Sequence, residues 1–413
     1  EIKKTRENID EIFDGVYANG FSKDNVDYYK DSFEDLAMIN YTSGTTGFSK
    51  GVMLPFRVLW SNMDFLMEAI GSKLKKNSDV LAILPMAHMY GLSCEFLMPF
   101  CMGNHLYFLT RLPSPSVIQH AFTEIHPSII VSVPLVIEKI IRKQIFPLID
   151  SKRMRLLMLV PGVGRKIKKR IYNQVMDIMG GNVYEIMIGG ASFSREIENF
   201  FTKINFPVTV GYGTTETGPM ITYSDYTDFV PGSCGTAAKN MEVKILNPDP
   251  KTGAGEIVTR GLNVMRGYYK NEEATREVID EEGWFHTGDL GKMSKDGHFF
   301  ILGRIKNMLL GSNGQNVYPE EIEDKLNSML LVNESLVLQK SEKLIALVNP
   351  DMTEAENMGL GDGDVMKVME RNRKELNGLL PSFCQISEIR IHNKEFEKTP
   401  KKSIKRYLYK NLV

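Results

Sequence analysis

Tyr41-Thr42-Ser43-Gly44-Thr45-Thr46-Gly47-Phe48-Ser49-Lys50-Gly51-Val52 (YTSGTTGFSKGV) packs hydroxyl side chains, glycines and one lysine into a dozen positions. Glycine permits the backbone angles that aim successive N–H groups inward, and hydroxyls and a cation complete a cradle for phosphate oxygens. The stretch follows the strand-like Ala37 to Tyr41. A polar turn between a strand and a helix is the plain alternative, and the density of phosphate-suited residues argues against it. The spacing Gly47-Phe48-Ser49-Lys50 is not that of a GxxxxGK[ST] loop, which disfavours a kinase or P-loop ATPase.

The 413 residues suffice for two or three domains. Apolar residues at 43% and charged residues at 24% are ordinary for a globular chain. A net charge of −1 gives no overall attraction to nucleic acid. The cysteines Cys94, Cys101, Cys234 and Cys384 show no CxxC or zinc-type spacing, which fits a reduced, cytoplasmic setting. The charged opening EIKKTRENID lacks the apolar run of a signal peptide. The apolar tract Val80 to Gly103 is interrupted by Pro85, His88, Glu95 and Pro99, so it reads as buried core containing a functional turn.

Short β-branched runs alternate with amphipathic stretches, the pattern of an α/β fold with helices packed on sheets. Strands are expected at Val80 to Leu84, Ser128 to Val133 and Val183 to Ile188, and helices at Ser116 to Ile125 and Pro134 to Lys143. From Met241 the texture becomes short strands and turns, including Glu256 to Thr259 and Phe299 to Leu302, which predicts a β-rich subdomain over about 230–306. A small α+β domain at 307–413 follows the large domain at 1–306, with a helix from about Glu320 and a surface loop at Asp351 to Asp364.

Further motifs carry chemistry. Gly211-Tyr212-Gly213-Thr214-Thr215-Glu216 offers a flat ring, a hydroxyl and a hard oxygen ligand within six positions. Gly189-Gly190-Ala191 leaves room beside a strand end, Asp289 lies in HTGDLG, and Arg304 lies in GRIKN. A carboxylate accepts two hydroxyl hydrogens and a guanidinium matches phosphate oxygens. With Pro85-Met86-Ala87-His88-Met89-Tyr90-Gly91, these stretches resemble the adenylate-forming (ANL) superfamily over residues 36–413, and its long-chain fatty acyl-CoA synthetase branch in particular.

That resemblance implies a large multi-subdomain N-terminal domain and a small mobile C-terminal lid. It implies AMP-forming activation of a fatty acid and transfer to coenzyme A, with ATP and Mg²⁺. Thr42, Ser43, Gly44, Thr45, Thr46, Gly47 and Lys50 would hold phosphates, while Gly189, Gly190, Ala191, Gly211, Tyr212 and Gly213 would border the adenine and acyl pockets. Thr215 would contact phosphate, Glu216 would hold Mg²⁺, Asp289 would take the ribose hydroxyls and Arg304 would lie near ribose and phosphate. His88 would stand near the acyl carboxylate, a core histidine being the plain alternative. Asn307 falls at the hinge, where the family commonly has Asp or Lys, and Gly311 to Tyr318 would then move to the site for the thiol step. Family members carry over a hundred residues before the first loop, so most of that part is expected to be absent here.

One departure stands out. The family pattern KTxxGKIxR is here Lys398-Thr399-Pro400-Lys401-Lys402-Ser403-Ile404-Lys405-Arg406, with Ser403 at the usual lysine position. Serine supplies no cation against carboxylate–polyphosphate repulsion, which leaves Lys402 as the alternative source of charge. An acyl-AMP ligase serving an acyl carrier protein, or a weakened nucleotide-binding homologue, therefore remains open beside the synthetase. The basic run from Lys152 to Arg170 reads as a solvated helix face, with peripheral contact to an anionic membrane or to coenzyme A phosphates as the other reading.

Overall fold

Runs of β-branched residues bounded by glycine or proline form the sheets seen in the computed structural model, which describes residues 8–26, 32–43, 49–75, 77–109, 114–149, 160, 162–310, 316–341, 343–398 and 404–412. Five parallel strands lie in the order His105–Phe108, Asp79–Ala82, Ile129–Ser132, Glu185–Ile188, Val208–Val210. The three inner strands are buried on both faces and largely apolar, as packing between helix layers requires. Helices Pro115–Ile125, Pro134–Gln144, Val163–Ile178 and Arg195–Ile204 supply one apolar layer, joined through Phe122, Ile137, Ile141, Val175 and Phe201. Ser114 starts the first of these by accepting the Val117 N–H, and Pro115 occupies the opening turn, where no amide donor is needed. Helix Phe56–Ala69 packs on the other face through Met63 and Leu66.

The strands and helices expected from the sequence occur within one or two residues of their anticipated limits. The apolar tract from Val80 breaks into a strand, a turn and short helical pieces, and no described helix is long and apolar enough to cross a membrane. The β-rich region is a four-stranded antiparallel sheet of Met241–Leu246, Gly255–Gly261, Phe285–Met293 and Phe299–Arg304. In the C-terminal part, strands Val332–Lys340, Lys343–Pro350 and Ile386–Ile391 carry helices Pro319–Asn327 and Asp362–Leu379 over their own core of Val337, Ala346, Val348, Val365 and Leu376.

The surface loop expected at Asp351 to Asp364 is instead partly helical. Met352–Asn357 is a short helix, and Asp362 begins the long helix. The acids that suggested a loop sit at helix starts, where Asp351 accepts the Glu354 N–H at 3.0 Å.

Between the two parts runs the turn Ile305–Asn307, directly after the strand Phe299–Arg304. Asn307 Nδ2 donates to Glu320 Oε1 at 2.6 Å, tying the turn to the first residues of helix Pro319–Asn327. Arg406 Nη1 lies 2.8 Å from Glu323 and 3.9 Å from Glu320, so the chain's last segment braces the same helix. Gly303 has φ +151°, and a Cβ there would stand 2.7 Å from Glu320 Oε2. The Glu320 carboxylate thus occupies room that a side chain at 303 would contest.

Candidate active site

In open sheets of parallel strands, ligands bind beyond the carboxyl ends, where connections to either side leave a crevice. Three of the stretches picked out in the sequence follow such ends. Pro85 to Gly91 follows Asp79–Ala82, Gly189 to Ala191 follows Glu185–Ile188, and Gly211 to Glu216 follows Val208–Val210. The strand before Pro85 pairs with His105–Phe108 on one side and Ile129–Ser132 on the other, which is the reversal point of the sheet.

The backbone of this rim is fixed from behind. Both oxygens of the fully buried Glu95 carboxylate accept amides, Ile83 N–H at 3.1 Å and Leu84 N–H at 2.8 Å, just before Pro85. Burial pushes the Glu95 carboxyl up to about 8, with the two amides opposing. Tyr90 reaches across the sheet, its hydroxyl donating to Met187 O at 3.0 Å. Its ring lies where a Cβ on Gly189 would come within 3.0 Å, so the missing side chain there admits a neighbouring aromatic. Gly190 adopts φ +83° and turns the chain away from the strand. His88 precedes the short helix Met89–Gly91, with its carbonyl accepting the Leu92 N–H.

Thr42 and Lys50 face each other across an antiparallel hairpin of Leu36–Ser43 and Ser49–Pro55. The stretch from Tyr41 to Val52 therefore begins on one strand and ends on the next, with Lys50 on the second. Asn40, from the same hairpin, donates to Ala87 O at 2.9 Å and holds the hairpin against the His88 turn. Gly44, Thr45, Thr46 and Gly47 lie outside the described residues, as do Lys402, Ser403 and positions 311–315, so the structure places none of these.

Thr215 and Glu216 sit on a tight turn, Thr215–Thr217, clamped by Asn62. Asn62 Nδ2 donates to Thr217 O at 3.1 Å, and its Oδ1 accepts the Met220 N–H at 3.0 Å. Glu216 O accepts Met265 N–H at 2.8 Å, and Glu216 Oε1 accepts the Tyr268 hydroxyl at 2.9 Å. Gly213 is required here, since a Cβ would fall 1.8 Å from Pro219 O.

The remaining predicted residues meet at one carboxylate. Asp289 is 4% exposed, and its neighbour across the sheet is Arg304. Arg304 Nε lies 2.7 Å from Asp289 Oδ1, while the Tyr212 hydroxyl donates to Oδ2 at 2.6 Å. Burial raises the Asp289 carboxyl above its usual value, opposed by the Arg304 charge and the Tyr212 hydrogen bond. A carboxylate has about four lone-pair sites, so two engaged oxygens still leave acceptors for hydroxyl donors. An aromatic, a buried carboxylate and a guanidinium in contact can together receive a ring, a diol and a phosphate.

Among the described residues no group of three or more His, Cys, Asp or Glu side chains could encase a metal ion. Glu216 offers one hard-oxygen carboxylate, with Oε1 accepting the Tyr268 hydroxyl. This donor set fits Mg²⁺, which takes one or two carboxylates and completes its shell with phosphate oxygens and water.

The sequence marked Glu95 only as a break in the apolar tract and did not single out Asn40, Asn62 or Tyr268. These three act across 47, 155 and 52 positions, and only the Gly267-Tyr268-Tyr269 cluster offered even a weak signal.

Comparison with known proteins follows the same lines. Residues 6–269 match the AMP-binding enzyme family, and residues 306–411 match the AMP-binding enzyme C-terminal domain. The long-chain fatty acid–CoA ligase ACSBG2 of Gallus gallus is 30% identical over 336 residues, covering 75% of this chain and 43% of the relative. The 4-coumarate–CoA ligase 5 of Oryza sativa subsp. japonica is 30% identical over 322 residues, covering 75% of this chain and 54% of the relative. The crystal structure of ATP-bound MatB from Rhodopseudomonas palustris superposes with a TM-score of 0.71 at 25% identity, covering 96% of this chain and 73% of that one. The chain spans about half the length of the curated relatives it matches. With a matching family model over most of its length, this chain belongs to the AMP-binding enzymes of the adenylate-forming superfamily.

Proposed function

We propose that this chain carries the nucleotide- and acyl-handling machinery of an AMP-forming acyl-CoA synthetase acting on a fatty, long-chain carboxylic acid. The observation that carries the reading is the contact of Tyr212 with Asp289 across 77 positions, with Arg304 on the adjoining strand, which together offer a ring, an acceptor for a diol and a cation for a phosphate. Relatives named as fatty acid and 4-coumarate ligases support the reaction type. The fatty rather than aromatic acid rests on the resemblance of Pro85 to Gly91 and its surroundings to the long-chain branch.

In the first step an oxygen of the carboxylate attacks the α-phosphorus of ATP, and pyrophosphate leaves, giving acyl-AMP. In the second the thiolate of coenzyme A attacks the acyl carbon and AMP departs. Lys50 and the hydroxyl-rich loop hold the polyphosphate, and Thr215 takes an α-phosphate oxygen. Asp289 fixes the ribose and Arg304 its phosphate, so that attack and departure lie in line. Glu216 would hold Mg²⁺, which when bound would supply positive charge to the polyphosphate. Gly190, Ala191 and Gly211 border the adenine and acyl group, Gly189 acts through the Tyr90 ring that it admits, and His88 borders the acyl carboxylate. The turn at Asn307 swings the C-terminal part between the two steps.

A second reading has its own observation. Ser403 stands where a lysine is expected, which favours a homologue that binds nucleotide but adenylates poorly. ATP–pyrophosphate exchange with acids of increasing length, and with coumarate, separates the two when run beside Ser403→Lys. Exchange by the natural chain that peaks on long acids supports the synthetase. Nucleotide binding with no exchange until lysine is introduced supports the weakened homologue. Offering coenzyme A and acyl carrier protein in parallel identifies the acceptor.

A further inference from the structure

Tyr268 belongs to no step written above, yet two of the proposed ligand-binding groups converge on it. Strand Gly267–Tyr268 adds to the hairpin strand that bears Lys50, with Tyr268 paired to Val52 and Tyr269 N–H donating to Gly51 O at 2.7 Å. On its other side, Tyr268 N–H donates to Thr275 Oγ1 at 2.9 Å. The backbone is thus fixed from both sides, and the side chain is 6% exposed. Its hydroxyl donates to Glu216 Oε1 at 2.9 Å. The Lys50 ammonium stands 4.7 Å from the centre of its ring.

A tyrosine needed only for packing would satisfy its hydroxyl with any nearby carbonyl. Here the peptide of Glu216 is already anchored by Met265 N–H, so the phenol restrains the carboxylate alone. The restraint is one-sided, leaving Oε2 for a second partner. Among the described residues no carboxylate pairs with Lys50. The ring attracts the ammonium through its π-face without cancelling the charge, so the cation stays available to an anion.

We propose that Tyr268 is a positioning residue that sets the loop cation Lys50 and the carboxylate Glu216 in one geometry, so that a nucleotide's polyphosphate and its divalent cation bind as a unit. The inference rests on the adenylate-forming reading of the site and adds a residue that the reading did not require.

The test uses the full chain and equilibrium ATP binding by calorimetry, without acid or coenzyme A, in EDTA and in magnesium chloride. Tyr268→Phe keeps the ring and removes the hydroxyl. The extra affinity that magnesium confers is expected to fall about five- to tenfold, while affinity in EDTA changes less than about twofold. Tyr268→Leu, which also loses the ring, is expected to weaken ATP binding in EDTA as well. In a Glu216→Gln background, Tyr268→Phe is expected to have no further effect, because the carboxylate it orients is gone.

An unchanged magnesium gain in Tyr268→Phe would overturn the proposal while leaving the adenylate-forming reading intact. So would a full effect persisting in the Glu216→Gln background, or a melting temperature so reduced that the fold itself is lost. A natural chain that binds no ATP in either condition would remove both readings together.

Discussion

Asp289 and Arg304 face each other across adjacent strands at 2.7 Å, and the Tyr212 hydroxyl closes on the other carboxylate oxygen at 2.6 Å. The pair is unequal, because Asp289 is buried whereas about half of the Arg304 side chain reaches solvent. Arg304→Ala strands a buried carboxylate, and the expected destabilisation is about 1–3 kcal/mol, less than for a fully enclosed pair. Asp289→Asn removes the buried charge and is expected to melt closer to the natural protein. Both variants are expected to lose ATP affinity. Thermal melts beside ATP titrations check the distinction, and an Arg304→Ala protein with an unchanged melt would contradict it.

Gly211 and Gly213 are two residues apart and differ sharply in room. A Cβ on Gly213 would press on Pro219 O at 1.8 Å, whereas on Gly211 the nearest atom is the flexible Met220 Cε at 3.4 Å. Gly213→Ala is expected to cost about 2–4 kcal/mol and to distort the Thr215–Thr217 turn. Gly211→Ala is expected to stay within about 1 kcal/mol. Chemical denaturation of the two variants gives the comparison directly.

The Asn307–Glu320 contact restrains the turn between the two parts of the chain. Glu320→Ala is expected to release roughly 1 kcal/mol of local stability, since the contact is partly exposed. Amide exchange across 305–310 should then quicken about fivefold, with little change in the large sheet. Uniform exchange throughout the chain would show that the contact braces nothing local.

Glu95 makes stability depend on pH. Its carboxyl rises from the ordinary 4.5 to about 8 in the folded protein. Below the unfolded value both states hold the proton and the contribution is complete. Between that value and about 8 the unfolded chain has lost a proton that the folded chain keeps, so stability falls as pH rises. The slope approaches roughly 1.4 kcal/mol per pH unit within that window. Glu95→Gln should flatten the melting profile between pH 5 and 8 by about that amount, although it loses one amide contact at every pH. Parallel slopes for the two proteins would show that Glu95 ionises normally.

What could be read in advance follows the range of the forces involved. The strands, and the helices begun by Pro115 and Pro134, depend on periodicity and caps within a few residues, and they appeared where expected. Asp289 and Arg304 were legible as motif residues, but their mutual contact was not, because it depends on sheet register. Tyr268 meets Glu216 across 52 positions, and Asn40 meets Ala87 across 47; no local pattern announces either. Asp351 misled for another reason, since acids and glycines mark helix starts as readily as loops.

Gly303 faces the start of the helix that follows the hinge. Glu320 comes up to this position with a carboxylate oxygen that has no hydrogen-bond partner and that a methyl group there would approach to 2.7 Å. Gly303→Ala would first turn the tip of that side chain aside, and with it the oxygen that holds Asn307, so the position works as a keyhole for one carboxylate at the seam.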